Sequence, residues 1–236
     1  MNEFSRMINW ENVLKKSIEF KNQKPFKFGF IEEFIDRDFY EKLYKDYPII
    51  DDSWNMYSGL EKYQLARHWG DDSKTMKIID DTDIIDGKWS QEWNLFKNYA
   101  SSEEFIANFR KFSGIPVTRL KHFSLIRYKK GGFQLPHIHN VGPSTLIMMI
   151  YFSKNWIHGD PGGTYMASEE DESKILFEPY NLDNTLAIFH DGHKAAHGMR
   201  LITKDVDRRA LQITLEGYSE SDGWSGAKKK TELKTI

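Results

Sequence analysis

Pro136-His137-Ile138-His139-Asn140 places two imidazoles two positions apart on a segment of extended character. Side chains at that spacing project to one side of a strand. His137 and His139 can therefore reach a single metal ion. Imidazole suits Fe, Zn, Cu and Ni, although an isolated pair of this kind is also met as ordinary core or surface histidine. Lys129-Lys130-Gly131-Gly132-Phe133 before the pair and Asn140-Val141-Gly142-Pro143 after it read as turns. They put the pair at a strand end, where open sites are built.

Further along come His197-Gly198 and Arg208-Arg209. A third imidazole from a later strand can close a facial site around one ion, and a cation beyond it can hold an anionic co-substrate. Two other histidines crowd His197. His193 and His197 would share a face of a helix, a zinc-like spacing, but Gly192 and the strand-like run before it predict a loop. His190 and His193 then read as surface residues or neighbours of a ligand, and His158 as an ordinary loop histidine.

The rest of the chain divides by periodicity. Trp10 to Asn22 has the pattern of a helix, with Leu14, Ile18 and Phe20 among charged residues, and Phe26 to Ile35 is strand-like. Asp36 is placed to cap a helix running to about Tyr47, stopped by Pro48. The polar stretch from Asp51 to Ser73, with Trp54, Tyr57, Tyr63 and Trp69 scattered through it, predicts a long irregular excursion. Two amphipathic helices follow between Ser90 and Phe112, the second ending at Gly114. From Arg119 onward, short apolar stretches alternate with turns: Leu120–Tyr128, Leu146–Phe152, Gly163–Met166, Thr185–Phe189 and Arg208–Leu215. That alternation predicts a sandwich or barrel.

A chain of 236 residues with 39% hydrophobic content is long and apolar enough for one domain with a packed core. A net charge of −2 gives no general field for nucleic acid or an anionic membrane. Without cysteine there is no disulfide, thiolate nucleophile or Cys-based zinc site. Met1-Asn2-Glu3-Phe4 shows no basic region followed by an apolar stretch, and no apolar run is long enough to cross a bilayer. A soluble cytoplasmic protein is the expectation. The Lys228-Lys229-Lys230 run reads as a solvated, frayed end.

Three segments, taken together and in order, carry a resemblance. The first is Pro136-His137-Ile138-His139-Asn140. The second is Ile150-Tyr151-Phe152-Ser153-Lys154-Asn155-Trp156 with Gly162-Gly163. The third is Phe189, His197-Gly198-Met199 and Arg208-Arg209-Ala210-Leu211. They resemble P-H-x-D-N, then Y-L-N-x-x-W with G-G, then F, H-x-V and R-x-S/A of the Fe(II)/2-oxoglutarate oxygenases of the prolyl 4-hydroxylase type. The Glu103–Pro116 helix and the Phe30–Tyr47 strand and helix look like that family's lead-in. The resemblance implies a mainly β protein with N-terminal helices and a double-stranded β-helix (jelly-roll) core. Residues 1–116 would form a helical elaboration, 117–218 the core and 219–236 a tail.

The same resemblance implies Fe(II), 2-oxoglutarate and O2 as cofactors, with ascorbate as an accessory reductant, and hydroxylation of an unactivated C–H bond. His137 and His197 would be metal ligands. Arg208 would pair with the distal carboxylate of 2-oxoglutarate, because a guanidinium fork matches a carboxylate, and the Tyr151 hydroxyl would meet the same group. Arg208, Ala210, Gln212 and Thr214 share one face of their strand, while Arg209, Leu211, Ile213 and Leu215 share the other. The polar face fits a barrel interior, which favours Arg208 over Arg209.

His139 departs from the family pattern, standing where it has a carboxylate. A carboxylate would leave the iron site at net +1, whereas three neutral imidazoles leave it at +2. His139 is expected to complete a three-His site; displacement of its ring, or loss of catalysis, are the other outcomes. Arg67, Trp69, Phe133 and Asn140 are candidates for the substrate pocket, with Arg67, His68 and Trp69 placed to greet an anionic or sugar-like substrate. With no accessory peptide-binding domain, the expected substrate is a small or carrier-linked molecule. The rival readings are a three-His cupin-type dioxygenase that does not use 2-oxoglutarate, and a catalytically silent jelly-roll binding module.

Overall fold

A computed structural model describes residues 7–70, 74, 76, 79, 85–139 and 141–217. Asn140 and the lysine run at 228–230 lie outside the described residues. Four of the helices are started by a side chain that accepts from the orphan N–H groups of the first turn. Asn9 caps α1 (Trp10–Lys15), Asp36 caps α3 (Arg37–Lys45), Ser90 caps α4 (Gln91–Ala100) and Ser102 caps α5 (Glu103–Ser113). Gly114 closes α5 at φ 68°, a left-handed position that glycine adopts without strain. The single helix expected over Trp10–Asn22 is two: α2 spans Ser17–Asn22, and Lys16 between them has ψ near 0°. The Lys16 N–H turns to Val13 O at 3.1 Å, a tightened last turn that ends α1.

The strands are β1 (Phe28–Glu32), β2 (Asn55–Ser58), β3 (Lys62–His68), β4 (Arg119–Tyr128), β5 (Phe133–His137), β6 (Thr145–Phe152), β7 (Tyr165–Ala167), β8 (Ile175–Phe177), β9 (Asp183–His190), β10 (Ala196–Met199) and β11 (Arg208–Glu216). All pair antiparallel in the order β1-β9-β6-β11-β4-β3-β5-β10-β7-β8, with β2 added to β3. The excursion expected over 51–73 is therefore largely the β2–β3 hairpin. The stretch before residue 117 supplies β1 to one edge of the sheet and β3 to its middle, in addition to helices. The sheet curls on itself. Five strands separate β9 from β10 in the sheet order, yet Phe189 of β9 packs on His197 of β10 with ring centres 4.5 Å apart.

β6 is buried along its whole length because both of its faces are covered. Leu146, Met148, Ile150 and Phe152 join the helix-facing core, with Trp93, Phe96 and Phe109. Ile147, Met149 and Tyr151 face the inside of the curl. β11 divides in the same way, Leu211, Ile213 and Leu215 going under the helices and Ala210 inward. A helical layer thus backs a curled antiparallel sheet, and the concave side is left for a site. Among the described residues no helix is long and apolar enough to cross a membrane.

Candidate metal centre

β5 and β10 bring the motif histidines together. His197 stands opposite His137 in register, and His139 follows two residues after the end of β5. Ring centres lie 4.3 Å apart for His137–His197, 4.8 Å for His137–His139 and 4.8 Å for His139–His197. One ring nitrogen from each falls within 4.8 Å of the others, a grouping able to hold a metal ion.

The second nitrogen of each ring is already committed. His137 Nδ1 faces Leu135 O at 3.0 Å, His197 Nδ1 faces Ala195 O at 2.8 Å, and His139 Nδ1 faces Asp191 Oδ2 at 2.7 Å. An oxygen acceptor at Nδ1 requires N–H there, so the neutral tautomer carries its lone pair on Nε2. His137 Nε2 and His139 Nε2 are 3.1 Å apart. Two lone pairs at that distance repel, whereas two ligands held about 2.0–2.1 Å from one ion at right angles stand about 3 Å apart. The donor set fits a divalent metal. Burial first, then the neighbouring rings of His137 and His139, holds His197 well below the ordinary histidine range. Burial is also the main cause of the depression at His137. Both therefore stay neutral, the form that ligates.

A cavity of about 320 Å³ opens beside the rings. Gln64, Tyr128, Gln134 and Thr164 line one part, Ile147, Met149 and Phe189 another, and His122, Gln212 and Thr214 a third. Burial and then Lys121 press His122 down to about 4. Behind Tyr128 and Thr164 lies Arg208, fully buried. Its Nε donates to Gly162 O at 2.8 Å and its Nη2 to Thr164 Oγ1 at 3.2 Å, while Nη1 has no partner among the described residues. Its guanidinium carbon sits 5.1 Å from the Tyr128 ring centre and 4.9 Å from that of Tyr151. Among the described residues no carboxylate pairs with it. An always-charged group in that state leaves room for an anion. Arg209 points the other way, to Asp207 Oδ2 at 2.8 Å and over Tyr44 and Tyr47.

Several solved structures share this architecture. A Pseudomonas putida prolyl-4-hydroxylase superposes with TM-score 0.61 at 9% identity, covering 88% of this chain and all of that one. A Trichoplax adhaerens prolyl hydroxylase in complex with a hypoxia inducible factor peptide fragment gives 0.58 at 13% identity, covering 90% of each chain. The fold is that of the prolyl 4-hydroxylases. HygX of Streptomyces hygroscopicus, with nickel, 2-oxoglutarate and hygromycin B bound, gives 0.53 at 10% identity over 81% of this chain and 83% of its own. No protein-family profile and no curated protein sequence matches this chain.

Within this fold the residues expected around a substrate go to different places. Arg67 and Trp69 do not line the cavity. Alternation along β3 sends Ala66 and His68 inward and Arg67 to the helix side, opposite Leu125. There its Nε donates to Ser53 Oγ at 2.9 Å, its Nη2 lies 3.4 Å from Asp86, and its head stacks over Trp89 at 4.7 Å. Trp69 is buried between Trp89 and Phe123. Phe133 is half-buried at the start of β5, paired with Tyr63, and does not line the cavity either. Asn140 is outside the described residues.

His190 donates to Pro143 O at 2.6 Å, His193 is exposed, and His158 lies beside Tyr180. Residues that sequence reading left unassigned do reach the site: Tyr128, Gln134, Thr164 and Asp191. For Asp191 a signal existed, since it follows Phe189 at strand spacing and so shares its inward face.

Proposed function

We propose that this protein is a non-haem Fe(II)/2-oxoglutarate-dependent oxygenase. It hydroxylates, or otherwise oxidises, an unactivated C–H bond of a small or carrier-linked molecule, using His137, His139 and His197 as an all-imidazole ligand set. One observation carries this reading. Three rings, each anchored through Nδ1, aim Nε2 at a shared point in a cavity backed by a buried guanidinium that lacks a carboxylate partner among the described residues. Iron bound there would supply the redox chemistry that couples O2 and decarboxylation of 2-oxoglutarate to oxidation of the substrate.

The chain's own residues do the rest. Arg208 neutralises the distal carboxylate of 2-oxoglutarate through its free Nη1. The Tyr151 hydroxyl accepts from Thr164 N at 2.9 Å and keeps its own proton to donate. Burial raises that phenol, against the pull of Arg208, so the proton is retained. Ile147, Met149 and Phe189 shield one wall from water. On the remaining wall Thr214 offers a buried hydroxyl with no partner among the described residues, beside Gln212. Those groups suit a small polar substrate better than a purely apolar one. The shared fold alone admits either a peptide or a small molecule, as in the hydroxylase and HygX complexes.

Anaerobic titration with Fe(II) and 2-oxoglutarate tests the proposal. A metal-to-ligand charge-transfer band in the green region is expected, followed by succinate release on admission of O2. A cupin-type dioxygenase that does not use 2-oxoglutarate, or a silent binding module, would give no such band.

A further inference from the structure

Asp191 extends the inward face of β9 two residues past Phe189. Its side chain is fully shielded, and Oδ2 accepts from His139 Nδ1 at 2.7 Å. Among the described residues Oδ1 accepts only from the N–H of Gly192, at 3.0 Å. Among the described residues no Lys or Arg forms an ion pair with it. A carboxylate in that setting is costly unless a cation or strong donor answers it. Among the described residues the one side chain that answers it is the ring of His139, the residue that stands where the resemblance calls for a carboxylate.

We propose that Asp191 is the displaced anionic member of the metal site. It acts through His139 as a positioning residue and returns the net charge of the centre to +1. The charge count closes: a divalent ion with three neutral imidazoles carries +2, and Asp191 behind His139 brings the assembly to +1. That is the value a ligating carboxylate would give directly. A carboxylate behind a ligating imidazole also fixes its tautomer and raises its basicity. His137 and His197 lean on backbone carbonyls instead, so the two sites of asymmetry coincide at residue 139.

This inference rests on the iron reading above, and the experiment separates the two. Binding of Fe(II) and 2-oxoglutarate is measured anaerobically by calorimetry and by the position of the charge-transfer band. Failure of the native protein to bind iron would remove the iron reading itself. If the native protein binds, Asp191→Asn is expected to weaken Fe(II) roughly 10- to 100-fold. It should also move the band to shorter wavelength, because an electron-poorer iron gives up charge less readily.

The exchange His139→Asp with Asp191→Asn puts the carboxylate back in contact with the metal. It should recover affinity and band position, while His139→Asp alone should not, since it leaves Asp191 buried without its donor. Native affinity and an unmoved band in a folded Asp191→Asn protein would overturn the inference. If Asp191→Asn does not fold, the exchange protein decides. A folded exchange protein that loads iron supports the displaced charge, and one that also fails to fold or to load assigns Asp191 a purely structural role.

Discussion

The guanidinium of Arg208 lies 4.9 Å from the ring centre of Tyr151, fully buried and, among the described residues, without an ion-pair partner. Two hydrogen bonds, to Gly162 O and Thr164 Oγ1, use part of its donor fork and leave Nη1 free. A cation buried this way is held ready for an anion rather than serving as a strut.

Arg208→Ala should therefore cost co-substrate binding and little else. Losing a buried charged partner is worth at least about 2 kcal/mol, or a roughly thirtyfold weaker 2-oxoglutarate affinity. The native protein should also gain thermal stability from 2-oxoglutarate, by about 2.7 kcal/mol at a hundred times the dissociation constant. The variant, bound about thirtyfold more weakly, should gain less than about 1 kcal/mol at the same concentration. An unchanged ligand-induced Tm shift in Arg208→Ala would place the anion elsewhere.

Removal of one imidazole should be more severe. His197→Ala deletes the one buried member of the cluster, packed between Phe189 and His137. Metal affinity should fall by more than the roughly 10- to 100-fold typical of losing an outer partner. Calorimetry with Fe(II) or Ni(II) reads this directly. Retention of native affinity would show that the three rings do not act as one ligand set.

The metal-free fold should weaken on acidification. His122 is held down to about 4 by burial and Lys121, against an ordinary value near 6.5 in the unfolded chain. Its folded pKa is depressed, so the unfolded chain binds more protons below about pH 6.5. The stability contributed by the neutral ring is complete above that pH. It is lost as the pH falls toward 4, at up to about 1.4 kcal/mol per pH unit. Urea unfolding of the metal-free protein at pH 7.5 and pH 5 should show the loss, and His122→Gln should reduce the slope. A slope indifferent to that substitution would reassign the acid sensitivity to other groups.

Gly198 should tolerate no side chain. A Cβ there would lie 2.4 Å from the Tyr165 hydroxyl and 2.8 Å from Gln134 O. β10 runs between β5 and β7 at this point. Gly198→Ala should cost about 1–3 kcal/mol by overpacking, and it should displace His197 enough to weaken metal binding as well. A variant with native Tm and native metal affinity would mean that β10 shifts freely.

The two halves of this protein were unequally legible. β6 and β11 could be read from local pattern, because a strand covered on both faces is apolar throughout and one with a single wet face alternates. The helix caps at Asp36, Ser90 and Ser102 were equally local, since a cap involves only the next few residues. The pairing of His137, His139 and His197 was anticipated from motif order, and the inward set Arg208, Gln212 and Thr214 from strand alternation.

Other features depended on which strands become neighbours. β3 inserts between β4 and β5, and that placement alone turned Arg67 and Trp69 into the helix-side core. Asp191 touches His139 because the sheet curls and brings the end of β9 against the end of β5. Side-chain periodicity reports which face a residue occupies and says nothing of what lies across from it. Local chemistry along the chain therefore determined the elements and the candidate ligands, while long-range closure of the sheet decided their partners and the charge around them.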